Sequence, residues 1–125
     1  MKLLGSMFYI ESAYPDAVQI RLNPEHAIYK AHFPGNPITP GVCIVQIVGE
    51  IVGERMGCKL QLRRIASLKF LQPISPIENQ RLTVYLSSVS QSEEEDGRIA
   101  EVNIKGTITC SSASMTKFSI VYCVK

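Results

Sequence analysis

Long apolar runs, paired cysteines and concentrated positive charge are all missing from this chain, and each absence removes a class of function. No stretch approaches the roughly 18 consecutive apolar residues of a membrane-spanning helix. The opening Met1-Lys2-Leu3-Leu4-Gly5 is too short an apolar run for a secretion signal. The four cysteines, at 43, 58, 110 and 123, have neither CxxC spacing nor histidines at metal-site intervals, so no metal and no other cofactor is expected. Cys110 and Cys123 fall in strand-like segments, where a reduced thiol serves as a small apolar residue. A reduced, soluble, cytoplasmic setting follows as the expectation. Apart from Arg63-Arg64 the basic residues are scattered and the formal net charge is only +2, which speaks against a nucleic-acid surface. Repeats, linkers and low-complexity segments are absent too.

What is present reads as one domain over residues 1–125, with 46% hydrophobic and 19% charged residues, long enough for a real core. Met7 to Tyr14 and Ala17 to Leu22 are strand-like. In the second, Val18, Ile20 and Leu22 alternate with Gln19, Arg21 and Asn23, the period-two pattern of a half-buried strand. Asn23-Pro24-Glu25-His26 predicts a short helical turn over 24–28, with Asn as cap and Pro at the first position. His26 has no signature around it and reads as a surface residue. A helix is predicted from Gly41 to Met56, closed near Gly57. Strands follow at Leu60–Leu71, Arg81–Ser90, Arg98–Cys110 and Ser114–Val124, with a rigid corner at Gln72-Pro73-Ile74-Ser75-Pro76. The acidic run Glu93-Glu94-Glu95-Asp96 before Gly97 reads as a solvated hairpin tip. Short connections imply an antiparallel sheet, and one long apolar helix in such a chain must be wrapped by it. The fold class is α+β with a single central helix.

Two features carry chemistry. The first is the run His32-Phe33-Pro34-Gly35-Asn36-Pro37-Ile38-Thr39-Pro40-Gly41-Val42, a loop in which three prolines fix φ and two glycines permit turns. It holds a histidine just before a helix. The second is the helix itself. At 100° per residue Ile44, Val48, Ile51 and Val52 share one broad face, flanked by Val45 and Ile47. The other face carries Cys43, Gln46, Gly49, Glu50 and Gly53. Two glycines there imply the close approach of another backbone, or of a ligand, and both can hold at once. Gln46 and Glu50 are neighbours one turn apart. A polar pair on a mostly buried helix must find hydrogen-bond partners, line a cavity or sit at a solvated edge.

His32-Phe33-Pro34-Gly35-x-Pro37-x-x-Pro40-Gly41-Val42 followed by a helix resembles the signature of the hotdog-fold β-hydroxyacyl-acyl carrier protein dehydratases, the FabZ/FabA-like family. Leu68-Lys69-Phe70-Leu71-Gln72-Pro73-Ile74-Ser75-Pro76 is similar to that family's strand and corner after the helix. The resemblance implies a hotdog fold, an antiparallel sheet wrapped around one long helix. It also implies a homodimer or dimer-based oligomer with an active site where the subunits meet. The implied substrate is a (3R)-hydroxyacyl chain on the phosphopantetheine arm of acyl carrier protein or on coenzyme A. The implied product is the trans-2-enoyl thioester, made in fatty acid or related acyl-chain synthesis. By resemblance His32 matches the base that removes the proton at carbon 2, a role suited to neutral imidazole. Gly41, with Val42 beside it, matches the backbone N–H that polarises the thioester carbonyl. A helix N-terminal N–H is well placed for charge that develops there. Phe33, Pro37, Ile38 and Pro40 would shape the pocket.

The departure falls at Gln46, where the family has Glu or Asp to protonate the departing hydroxyl. An amide can orient that hydroxyl but cannot act as the acid. The family often carries Gln one turn later, where this chain has Glu50, so the pair looks exchanged. Three outcomes stay open: Glu50 supplies the proton, His32 works alone, or the chain is an acyl-thioester or carrier-protein binding subunit without full activity. A hotdog thioesterase ranks below these, since such enzymes usually lack this proline-braced histidine loop.

Overall fold

The computed structural model describes residues 1–31 and 35–125. Its elements are β1 (Phe8–Ala13), β2 (Ala17–Leu22), α1 (Ala27–Ala31), α2 (Gly41–Met56), β3 (Leu60–Phe70), β4 (Arg81–Glu93), β5 (Ile99–Cys110) and β6 (Ala113–Val124). The six strands form one sheet in the order β1-β2-β4-β5-β6-β3, with every neighbouring pair antiparallel.

Alternation decides which side of the sheet is covered. Val18 lies opposite Val84, and Ile20 opposite Leu82. Further along, Val84 meets Ile108, Ile104 meets Ile120, and Val102 meets Tyr122. All of these are buried, and they form one apolar cluster with Ile44, Ile47, Val48, Ile51 and Val52 of α2. The sheet therefore curls around the helix as the residue pattern requires. This is the hotdog arrangement.

The helix is buried over more of its circumference than its apolar stripe suggests, for Cys43, Gly49 and Gly53 are buried as well. The sequence reading put those three with Gln46 and Glu50 on the face away from the apolar stripe, where two glycines implied the close approach of another part of the chain, and that approach is found. A Cβ on Gly49 would fall 2.7 Å from the Tyr122 ring, and one on Gly53 would fall 2.7 Å from the Cys58 carbonyl oxygen. Among the described residues the glycines thus serve close packing. The Tyr122 hydroxyl reaches past Gly49 to donate to the Val45 carbonyl at 2.6 Å. The helix ends at Gly57 in the left-handed region (φ 73°), where a glycine is favoured, and the Cys58 N–H returns to the Gly53 carbonyl. Arg55 in the last turn donates to the Pro15 and Tyr14 carbonyls at 2.6 and 2.7 Å, fastening the β1–β2 turn to the helix end.

The short helix starts later than the predicted 24–28. The Asn23 side chain accepts the Glu25 N–H at 3.0 Å, so residues 23–26 form a turn of their own. His26 is half-buried, and its Nδ1 accepts the Ile28 N–H at 3.2 Å. It caps α1 and is not simply a surface residue. No helix among the described residues is long and apolar enough to cross a membrane.

Candidate functional site

The loop before α2 is anchored at its far end. The Thr39 N–H donates to the Ile74 carbonyl at 2.8 Å, tying the loop to the corner after β3. The Thr39 Oγ1 and the Tyr29 hydroxyl of α1 lie 2.8 Å apart, both buried. Burial pushes the Tyr29 hydroxyl up to about 12, against a smaller opposing effect from the Thr39 hydrogen bond. Burial also raises the Cys43 thiol, one turn further on.

From this anchor the chain enters α2 through Pro40, whose carbonyl accepts the Cys43 and Ile44 N–H groups at 3.0 and 3.2 Å. No side chain caps the helix, and the N–H groups of Gly41 and Val42 have no hydrogen-bond partner among the described residues. They carry the positive end of the helix dipole. Beside them lies an open cavity of about 360 Å³, with Ile38, Pro40, Gly41, Ile44, Phe70 and Ile74 in its walls. The Phe70 ring lies so close over Gly41 that a Cβ there would fall 2.8 Å from it. An apolar chain with a carbonyl at the Gly41 end suits this geometry.

Of the residues singled out in the sequence, Ile38, Pro40 and Gly41 line this cavity, while Pro37 and Val42 do not. Val42 is two-thirds exposed. His32 and Phe33 lie outside the described residues, so their readings stay those of the sequence. Phe70, Leu71 and Ile74 were not picked as pocket residues. The signal for them was available, since all three stand in the Leu68–Pro76 stretch that follows the helix signature.

Gln46 and Glu50 line a different space, an open groove of about 760 Å³ between α2 and the first residues of β3. Both are committed to the N-terminal segment. The Glu50 carboxylate accepts the Leu3 N–H (2.8 Å to Oε2, 3.0 Å to Oε1) and the Leu4 N–H (2.6 Å to Oε1). The Gln46 Nε2 donates to Glu50 Oε2 at 2.7 Å and to the Met1 carbonyl at 2.8 Å. Among the described residues no three His, Cys, Asp or Glu side chains converge to hold a metal ion.

Comparison with known proteins follows the same lines. The model of the ApeI-like family, described as ApeI dehydratase, matches residues 12–118. A 3-hydroxyacyl-acyl-carrier-protein dehydratase FabZ of Ligilactobacillus salivarius is 29% identical over 103 residues, covering 77% of this chain and 72% of that protein. Among solved structures, the dehydratase heterocomplex ApeI:P of Xenorhabdus doucetiae aligns with a TM-score of 0.58 at 19% identity, over 92% of this chain and 94% of that one. A hypothetical thioesterase of Streptococcus pneumoniae with coenzyme A aligns with a TM-score of 0.59 at 14% identity, over 94% and 88%. At such identities the two structures speak for the hotdog fold alone.

Proposed function

This chain belongs to the ApeI-like dehydratase family, and from that premise we propose that it eliminates water from a (3R)-hydroxyacyl thioester to give the trans-2-enoyl thioester. One observation carries the reading: the Gly41 N–H at the start of α2, without a hydrogen-bond partner among the described residues and set at the edge of an apolar cavity. A thioester carbonyl placed there gains a donor where negative charge develops as the C2 proton leaves. The acyl chain then runs along Ile38, Ile44 and Phe70.

In this reading His32 takes the C2 proton, the C2–C3 double bond forms and the C3–O bond breaks. The departing hydroxyl needs a proton to leave as water. Gln46 cannot give one, and the Glu50 oxygens are occupied as acceptors of backbone and amide N–H groups. The proton that His32 has just collected is therefore returned to the hydroxyl. Working without a separate acid costs roughly 10²–10⁴-fold in rate. The carrier is the phosphopantetheine arm of an acyl carrier protein, or coenzyme A, in fatty acid or related acyl-chain synthesis.

The amide at 46 also favours a second reading, in which the chain binds acyl thioesters as one half of a mixed pair. The ApeI:P structure is described as a heterocomplex. Turnover of a 3-hydroxyacyl carrier-protein thioester by the purified chain separates the two. We expect slow but measurable turnover, lost in His32→Ala. Full turnover in His32→Ala would remove the dehydratase assignment; thioester binding without turnover in either direction would favour the second reading.

A further inference from the structure

The face of the sheet turned away from α2 carries a group of lysines that the thioester site does not use. On β6, Lys117 lies between the buried Thr116 and Phe118, so its side chain leaves on the outer face. Lys69 of β3 stands directly opposite it. Lys105 of β5 faces Ser119, two residues along from Lys117, which makes it the diagonal neighbour of Lys117 on the same face. All three are exposed, and none forms an ion pair among the described residues. The residues set among them, Ser67, Ser88, Thr107 and Ser119, are small and hydroxylic. Arg63 and Arg64, by contrast, share Glu101 at 2.7 and 3.7 Å. Like charges set directly opposite on neighbouring strands destabilise a sheet, and an acidic group docked from outside would remove that repulsion.

The same chain presents the complement. The β4–β5 hairpin ends in Glu93-Glu94-Glu95-Asp96-Gly97-Arg98, exposed at every residue. Its turn is closed by the Glu94 N–H on the Arg98 carbonyl at 2.7 Å and the Gly97 N–H on the Glu94 carbonyl at 2.9 Å. Arg98 pairs with Asp96 at 2.6 Å and with Glu94 at 3.8 Å, while Glu93 and Glu95 have no cation partner among the described residues. Four acids less one arginine give the tip a net charge of −3, against +3 at the lysines. The tip cannot fold back onto its own lysines. Ile99, opposite Glu93 where the hairpin begins, lies six residues from Lys105 on the same strand, about 20 Å away. We propose that the acidic hairpin tip of one copy docks on the lysine face of a second copy, joining copies head to tail. Tip and face are different surfaces, so the contact adds copies beyond any edge-paired dimer, and it does not depend on the thioester reading. Opposite charges at an exposed surface hold it, so salt weakens it.

Sedimentation velocity at about 0.01 M and about 1 M salt, where the screening lengths are about 30 and about 3 Å, tests this. The wild-type chain is expected to grow in mass with protein concentration at the low salt and to fall back at the high one. Glu93→Lys combined with Glu95→Lys makes the tip basic. Lys105→Glu combined with Lys117→Glu makes the face acidic. Each double variant alone then carries one sign on both surfaces, and its salt-sensitive association constant should fall at least about tenfold. An equimolar mixture of the two restores one native contact, the acidic tip of one variant on the lysine face of the other, and should associate again. A merely structural effect of the substitutions would not be repaired by mixing. Circular dichroism checks the fold, and the tip variant alone carries the test if the face variant does not fold. A wild-type mass that is equal at both salt concentrations, or variants that stay apart when mixed, overturns the proposal. So does flotation of wild type with anionic phosphatidylglycerol vesicles at low salt while its own mass is unchanged, which would give the lysine face to a membrane surface.

Discussion

Thr116 is fully buried on β6, opposite Phe70 of β3 and Ile108 of β5, and its hydroxyl has no hydrogen-bond partner among the described residues. An unsatisfied buried hydroxyl costs about 1–3 kcal/mol, and valine keeps its shape without the polar atom. Thr116→Val is therefore expected to stabilise the fold by about 1 kcal/mol, read as a higher urea midpoint at unchanged slope. A lowered midpoint would mean the hydroxyl has a partner. Gly49 predicts the opposite sign from a helix-propensity argument. Alanine is the better helix former by about 1 kcal/mol, but its methyl group would meet the Tyr122 ring at 2.7 Å. That ring is held by its own hydrogen bond to Val45. Gly49→Ala should cost about 1–3 kcal/mol, and a gain in the urea midpoint would contradict the packing described. The glycines show what a helical wheel leaves out. Spacing placed Cys43, Gly49 and Gly53 away from the apolar stripe, yet a sheet that curls around a helix covers more than the stripe, and all three are buried.

At the level of elements, the buried pair Tyr29 and Thr39 links α1 to the segment that enters α2. It gives the fold a dependence on alkaline pH. Burial raises the Tyr29 hydroxyl from 10.0 to about 12 and moves Tyr122 in the same direction. The folded state thus holds these protons where the unfolded chain has released them. The stabilisation is fully present below about pH 10 and is lost as pH rises from there towards 12, by about 2 kcal/mol for Tyr29. Urea midpoints between pH 8 and 11 should fall above pH 10, and the fall should be shallower in Tyr29→Phe. Equal slopes in the two proteins would remove Tyr29 as the cause. Most elements were legible because their signals are local. The alternation of Val18, Ile20 and Leu22 marked β2 at its observed bounds, Ala17–Leu22. The start of α1 was misplaced because Asn23 caps a turn while His26 caps the helix, and imidazole is an unusual cap. The partners of Glu50 were not legible at all. They lie 46 and 47 residues away in a segment whose composition gives no sign of the contact.

For the molecule as a whole, the open question is what pairs with β3. It closes one edge of the sheet, bonded to β6 on one side, and only Leu60 and Leu68 of its residues are even partly buried. Leu62 and Ile65 are each 44% exposed and Phe70 is 51% exposed. A long edge strand with apolar side chains and free backbone groups invites another strand. The bulges between Leu62 and Arg64 and between Ile65 and Ser67 twist it without shortening it. The family resemblance implies a dimer, and a second copy of this chain along the same edge would be the occupant. Such a copy would also close the neighbouring groove lined by Gln46, Glu50 and Leu62. Lysine on an edge strand opposes such pairing through charge and hydration. Leu62→Lys combined with Ile65→Lys should therefore turn a dimer into a monomer in sedimentation equilibrium, with little change in circular dichroism, because both side chains are already exposed. Turnover should fall with the dimer fraction if the site draws groups from both copies. A wild-type chain that sediments as a monomer at about 100 μM and still turns over would rule out the paired site. One that dimerises only on addition of a second, carboxylate-bearing dehydratase chain would make this protein half of a mixed pair, with the missing acid at position 46 supplied from across the β3 edge.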